Sequence, residues 1–264
     1  MAGTDANGSR YELRGSGPAL VLVHGLGLNH AMWRWLMPQL ESRYTVLSYD
    51  LSGHGKTAPV PGHGSMAAFV TQLRALVDFT GLDRFALAGF SLGGMIAQAF
   101  TLESPQRVRA LAVLHSAFDR SDAERAAILE RVALAEAEGP QATIGKALQR
   151  WFTAGFAAMH PEVLDLVRDW VTTNDRQAFA AAYRLLALVD GPLAARTGEI
   201  ACPALVVTGE EDFGNSPDMA RRMAARMQQA DCRILPGLRH MALAEDPAAM
   251  LAELLPFFDR TAGH

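Results

Sequence analysis

Gly89-Phe90-Ser91-Leu92-Gly93 stands between two apolar stretches of different character. Phe85-Ala86-Leu87-Ala88 enters it as a strand-like run, and Leu92 to Glu103 leaves it with a helical pattern. A chain that reverses this sharply from strand to helix holds the central residue strained, with its hydroxyl lifted above the sheet. Small residues at 89 and 93 let the chain turn and let helix and strand approach closely. Gly94 and Ala97 extend that low-bulk face. In a chain with 23 glycines such a run also arises by chance. The strand before it, the helix after it and suitable partners downstream are what make Ser91 a candidate nucleophile.

Working outward, other short apolar runs fit strands buried on both faces. They are Ala19 to Val23, Tyr44 to Tyr49, Ala110 to Leu114, Ala204 to Val207 and Cys232 to Leu235. Amphipathic stretches lie between them. Met66, Phe69, Val70, Leu73, Leu76 and Val77 recur at three- and four-residue steps, and Met250, Leu251, Leu254, Leu255 and Phe258 form a closing stripe behind Asp246-Pro247. This alternation predicts an α/β fold, a doubly wound and mostly parallel sheet covered on both faces, with ligands beyond the carboxyl ends of the strands.

The rhythm breaks between about Phe118 and Ala195, where Ala126 to Ala137, Ala147 to Phe156, Pro161 to Val171 and Gln177 to Val189 read as helices. That is too long for one crossover. We therefore expect a core of residues 1–118 and 196–264 and an inserted helical cap of residues 119–195, hinged near Asp119 and Asp190-Gly191. Met1 to Gly17 is polar and glycine-rich and reads as a flexible leader running into a strand near Tyr11 to Leu13.

A net charge of −4 offers no basic field for nucleic acid. No apolar run reaches membrane-spanning length, and the leader lacks a signal-peptide pattern, so a cytoplasmic protein with no membrane partner is expected. Two cysteines, Cys202 and Cys232, then read as reduced core residues, and no Cys/His spacing suggests a metal site. The sequence leaves self-association into a homo-oligomer open.

A serine hydroxyl needs a base to take its proton, and the base needs an acid to fix its tautomer. Thr208-Gly209-Glu210-Glu211-Asp212 follows the strand at 204–207, and Asp212 is the chosen acid among its three carboxylates. His240 occupies the loop after the next strand and is the chosen base. The loop His24-Gly25-Leu26-Gly27 supplies a second requirement, backbone donors for a developing oxyanion. The amides of Leu26 and Leu92 are the expected pair. Of the other histidines, His24 and His115 fall where a pocket could reach; His30, His54, His63, His160 and His264 read as structural or solvated.

With these pieces in place the chain resembles the α/β-hydrolase superfamily over nearly its whole length. The matching segments are Val23 to Gly27, Asp50-Leu51-Ser52-Gly53-His54-Gly55, the turn at Ser91, Gly209 to Asp212, and His240 with Glu245-Asp246-Pro247. Within it, Gly89 to Met95 and Gln177 to Tyr183 look most like 3-oxoadipate enol-lactonases and related carboxylesterases. Arg239 stands where many members carry glycine, and Phe90 where histidine is common. The resemblance implies the α/β-hydrolase fold, a Ser91–Asp212–His240 triad, no cofactor, and hydrolysis of a small-molecule ester or lactone. It leaves as alternatives a carbon–carbon bond hydrolase of a vinylogous diketone and a ligand receptor on a hydrolase scaffold. Trp151, Phe152, Phe156, Phe179 and His115 are the expected substrate-binding residues. Arg150, Arg176 and Arg184 could meet a substrate carboxylate, though a solvated helix face is the simpler reading of each.

Overall fold

The structure is a computed structural model, and it describes residues 1–60 and 62–261. His264 lies outside them. One sheet contains β1 (Ala2–Thr4), β2 (Arg10–Arg14), β3 (Ala19–Val23), β4 (Thr45–Tyr49), β5 (Phe85–Phe90), β6 (Val108–Leu114), β7 (Ala204–Gly209) and β8 (Ala230–Leu235). Their spatial order is β1-β2-β4-β3-β5-β6-β7-β8. The pairs β1–β2 and β2–β4 are antiparallel and the rest parallel. The central strands are continuous apolar runs because helices cover both faces, whereas β8 at the edge alternates half-buried and exposed positions up to its buried last residue.

The covering helices begin with α1 (Met37–Glu41), α2 (Met66–Phe79) and α3 (Leu92–Glu103). Between β6 and β7 come α4 (Asp122–Glu138), α5 (Gln141–Trp151), α6 (Ala154–Met159), α7 (Pro161–Thr172), α8 (Arg176–Leu188) and α9 (Asp190–Arg196). Then follow α10 (Pro217–Arg226), α11 (Ala242–Glu245) and α12 (Pro247–Thr261). Two starts show the local logic. Ser121 and Glu124 form a capping box on α4, and the Asp246 carboxylate accepts the Ala249 amide at 2.9 Å, with Pro247 in the first helical position.

Two sequence expectations change. Residues 2–4 are not part of a flexible leader; they pair with β2, because the Asp5 carboxylate takes the amides of Asn7 (2.9 Å) and Ser9 (2.7 Å) and turns the chain back. The helix expected over 147–156 is two helices. Phe152 is extended, and Thr153 caps α6 by accepting the Phe156 amide at 3.3 Å.

The segment between β6 and β7 is fastened at both ends. Buried Asp190 accepts the Arg120 amide at 2.7 Å and Arg125 Nη1 at 3.2 Å, and the Arg120 guanidinium lies 3.7 Å away. Between those ends, Val171 and Phe179 press on Gly27 and Ala178 on Gly53, over the loops after β3 and β4. Among the described residues no single helix is long and apolar enough to cross a membrane. The bent pair 176–188 and 190–199 passes that test by length and composition alone, and most of its apolar side chains are buried in the fold.

Candidate active site

The strand order sets the site. Chain ends leave β3, β5, β6, β7 and β8 side by side, which lines up Gly25-Leu26, Ser91, His115, Asp212 and His240 along one edge. Ser91 has φ 54° and ψ −116°, a conformation that side-chain-bearing residues avoid. Its amide donates to Leu114 O (2.8 Å), and its carbonyl accepts the Gly94 amide (2.9 Å) and the Ser116 hydroxyl (2.8 Å), so the surrounding structure holds the strain. A Cβ on Gly89 would lie 2.1 Å from Gly93 O, and one on Gly93 2.2 Å from Val23 O. Both positions therefore require glycine for close approach.

Asp212 Oδ2 lies 2.7 Å from His240 Nδ1. An ionised carboxylate only accepts, so this contact places the proton on Nδ1 and leaves Nε2 its lone pair. The other oxygen accepts the amides of Gly214 (3.3 Å) and Asn215 (3.1 Å). Burial works to raise the Asp212 pKa, but the charge of His240 and the hydrogen bonds from His115 and His240 outweigh it and hold the carboxyl well below its usual range. The His240 ring packs between Phe90 (centroids 4.8 Å apart) and Trp151 (5.8 Å).

A cavity of about 100 Å³ faces these groups. Ser91, His240, Leu26, Trp151 and Phe179 line it, together with Ile128, Ile144, Ala147 and Leu186 from the helices. Leu92 opens α3 behind the serine, where the first helical amides have no intrahelical acceptor. Among the described residues the Ser91 hydroxyl has no hydrogen-bond partner, so it remains free toward the cavity.

Three of the expected substrate-binding residues do not line this cavity. Phe152 and Phe156 stack on each other (5.5 Å, 8°) outside the cavity, because the break between α5 and α6 turns them away. His115 is fully buried and absent from the wall; its Nδ1 lies 3.0 Å from Asp212 Oδ2. Burial lowers its pKa, so it serves as a neutral donor to the carboxylate. His24 is likewise buried, with Nδ1 2.7 Å from Gly25 O and Nε2 accepting the Leu51 amide at 2.9 Å, which joins the loops after β3 and β4. Arg176 and Arg184 bind Glu136 on the surface, whereas Arg150 does line the cavity.

Sequence reasoning passed over Arg120, Arg131, Asn215 and the role of Arg239. Arg131 shares the buried face of α4 with Ile128, Val132 and Ala135, so its helical spacing was a usable signal. Asn215 Nδ2 sits 3.1 Å from His240 Nδ1. Arg239, where many α/β hydrolases have glycine, donates to Gln149 O (2.9 Å) and Phe152 O (3.0 Å) at the end of α5.

Residues 18–247 match the family described as alpha/beta hydrolase fold. The chain is 30% identical over 233 residues to (E)-2-((N-methylformamido)methylene)succinate hydrolase of Acinetobacter baylyi, covering 88% of this chain and 87% of that one. The enol-lactonase from Burkholderia xenovorans superposes with a TM-score of 0.87 at 26% identity, covering 96% and 98% of the two chains. A thermophilic esterase from Thermogutta terrifontis superposes with a TM-score of 0.88 at 25% identity, covering 98% and 97%. With a family match that extends from the strand before the glycine loop to the start of the last helix, this chain belongs to the alpha/beta hydrolase fold family.

Proposed function

We propose that this chain is a cofactor-independent serine hydrolase that cleaves a carboxylic ester or lactone through an acyl-enzyme on Ser91. The Ser91 oxygen attacks the carbonyl carbon while His240 Nε2 takes its proton, and Asp212 holds the imidazole and balances its charge. The amides of Leu26 and Leu92 receive the oxyanion, each such donor contributing about 3–4 kcal/mol to the transition state. His240 then returns the proton to the departing alkoxide. It next activates a water that releases the acid and restores the serine. Residues 119–195 act as a cap that sets substrate choice.

The observation that carries this reading is the 2.7 Å contact of Asp212 with His240, whose ring lines the same cavity as strained Ser91. The esterase and enol-lactonase among the similar structures favour an ester or lactone bond. Incubation with a fluorophosphonate followed by peptide mass spectrometry tests it. The adduct is expected on Ser91, and Ser91→Ala is expected to lose both labelling and ester turnover. Label elsewhere, or wild-type turnover by the alanine variant, overturns it.

A further inference from the structure

We propose that Arg131 and Arg150 form an anion subsite in the cavity, and that the substrate is an ester or lactone carrying a free carboxylate. The proposal deepens the reading of Ser91 as nucleophile and rests on it for the word substrate, not for the binding of the anion.

Three guanidinium groups reach this cavity. That of Arg120 is already compensated. It is nearly fully buried, lies 3.7 Å from Asp190, and donates to Leu186 O (3.0 Å) and Asn215 Oδ1 (3.4 Å). The other two are not. Arg131 donates from Nε to the Tyr183 hydroxyl at 3.1 Å and meets no carboxylate among the described residues. Arg150 has no hydrogen bond or ion pair among the described residues. Both are only partly accessible, and they lie near enough to repel each other. Burial, followed by the charge of Arg131, depresses the Arg150 pKa. Arginine does not give up its proton in a protein, so the pair stays cationic, without a counter-ion among the described residues.

Elsewhere this chain does pair its cavity-side and buried arginines, as Asp190 shows for Arg120 and Arg125. Ile128, Ile144 and Ala147 fill the wall around the two unpaired groups, so water solvates them less well than at the surface. A carboxylate offers two acceptor oxygens to two forks of N–H donors. Tyr183 adds a third donor. Its oxygen accepts from Arg131, and its own proton has no acceptor among the described residues. Ser91 and His240 share the cavity with this cluster, so a molecule anchored by its carboxylate here presents its carbonyl to the serine.

The test has two arms. In the first, glutarate is titrated into the full-length Ser91→Ala protein, and the thermal midpoint is followed, which needs no turnover. Glutarate is expected to raise the midpoint in that background and to do so much less when Arg131→Gln and Arg150→Gln are added. No shift, or an equal shift with both arginines replaced, overturns the subsite. In the second, kcat/KM is measured for 4-nitrophenyl hemiglutarate and its neutral methyl ester. The wild type is expected to favour the acidic ester, and Arg150→Gln to shrink that preference about ten- to hundredfold, the weight of a charge-assisted hydrogen bond. Arg184→Gln, on the exposed face with Glu136, is expected to keep the wild-type preference. A wild-type preference for the neutral ester overturns the substrate class. Glutarate binding without cleavage of either ester, and without fluorophosphonate labelling, leaves the subsite standing and removes the hydrolase reading.

Discussion

His115 Nδ1 lies 3.0 Å from Asp212 Oδ2, the same oxygen that His240 holds at 2.7 Å. The strand order is the cause. β6 lies between the strand that ends at the serine and the strand that ends at the acid, so the first residue past β6 falls against the carboxylate. Two imidazole donors on one oxygen let Asp212 stay ionised while fully enclosed.

Replacing His115 by Phe is expected to keep the packing and remove one donor. The buried carboxylate then loses a charge-assisted bond worth about 1.5–3 kcal/mol. The thermal midpoint should fall, and kcat should drop about tenfold with KM little changed, since His115 lies outside the cavity wall. His115→Asn, which retains a donor, should recover part of the loss. Steady-state kinetics on a neutral ester check both; a variant with unchanged kcat would leave His115 as packing alone.

Gly93→Ala is expected to destabilise the fold by several kcal/mol or to prevent folding, because the added carbon meets the carbonyl oxygens of Val23 at 2.2 Å and His24 at 2.5 Å. Gly145 in α5 has open space at the same point, so Gly145→Ala should stabilise by about 0.5–1 kcal/mol. Urea unfolding of the two variants beside the parent separates a close-approach glycine from a replaceable one.

Acid should weaken the fold well before it reaches the carboxylates. Burial lowers the pKa of His24 to about 3 and of His54 to about 4. In the unfolded chain both return to about 6.5, so below that pH the unfolded state binds more protons than the folded one. Stability is therefore lost as pH falls from about 6.5 toward 4, by about 1.4 kcal/mol per pH unit for each histidine. Asp212 acts in a lower window. Its depressed pKa contributes stability above the unfolded value near about 3.9, which is lost as pH falls further. Unfolding free energies at pH 7.5 and 5 should differ, and His54→Gln should reduce the difference. Equal stability at the two pH values would contradict the neutral burial of these rings.

The fold, and the meeting of Ser91, Asp212 and His240 at one edge of the sheet, are legible because they depend on local pattern. A buried parallel strand writes itself as a short apolar run, and Asp212 and His240 follow such runs by a few residues. The residues that do not line the cavity depend on packing at longer range. Phe152 and Phe156 left the cavity because a cap at Thr153 bends the chain between them, and one threonine in an apolar helical pattern is a weak signal. The position of His115 at a strand end is visible in the sequence, while its depth below the cavity wall is not. Arg131 and Arg150 occupy buried faces at helical spacing, but only the packing of α4 against α5 brings their charges together.

Arg239 gives the site one further property. The residue just before His240 clasps the carbonyls of Gln149 and Phe152, and the Met241 amide just after it donates to Trp151 O at 2.9 Å. The His240 imidazole and the end of α5 are thereby threaded onto the same few bonds. A lineage that exchanged the helices over this sheet would disturb the imidazole along with them, so on the proposed function drift in specificity and drift in rate are mechanically joined.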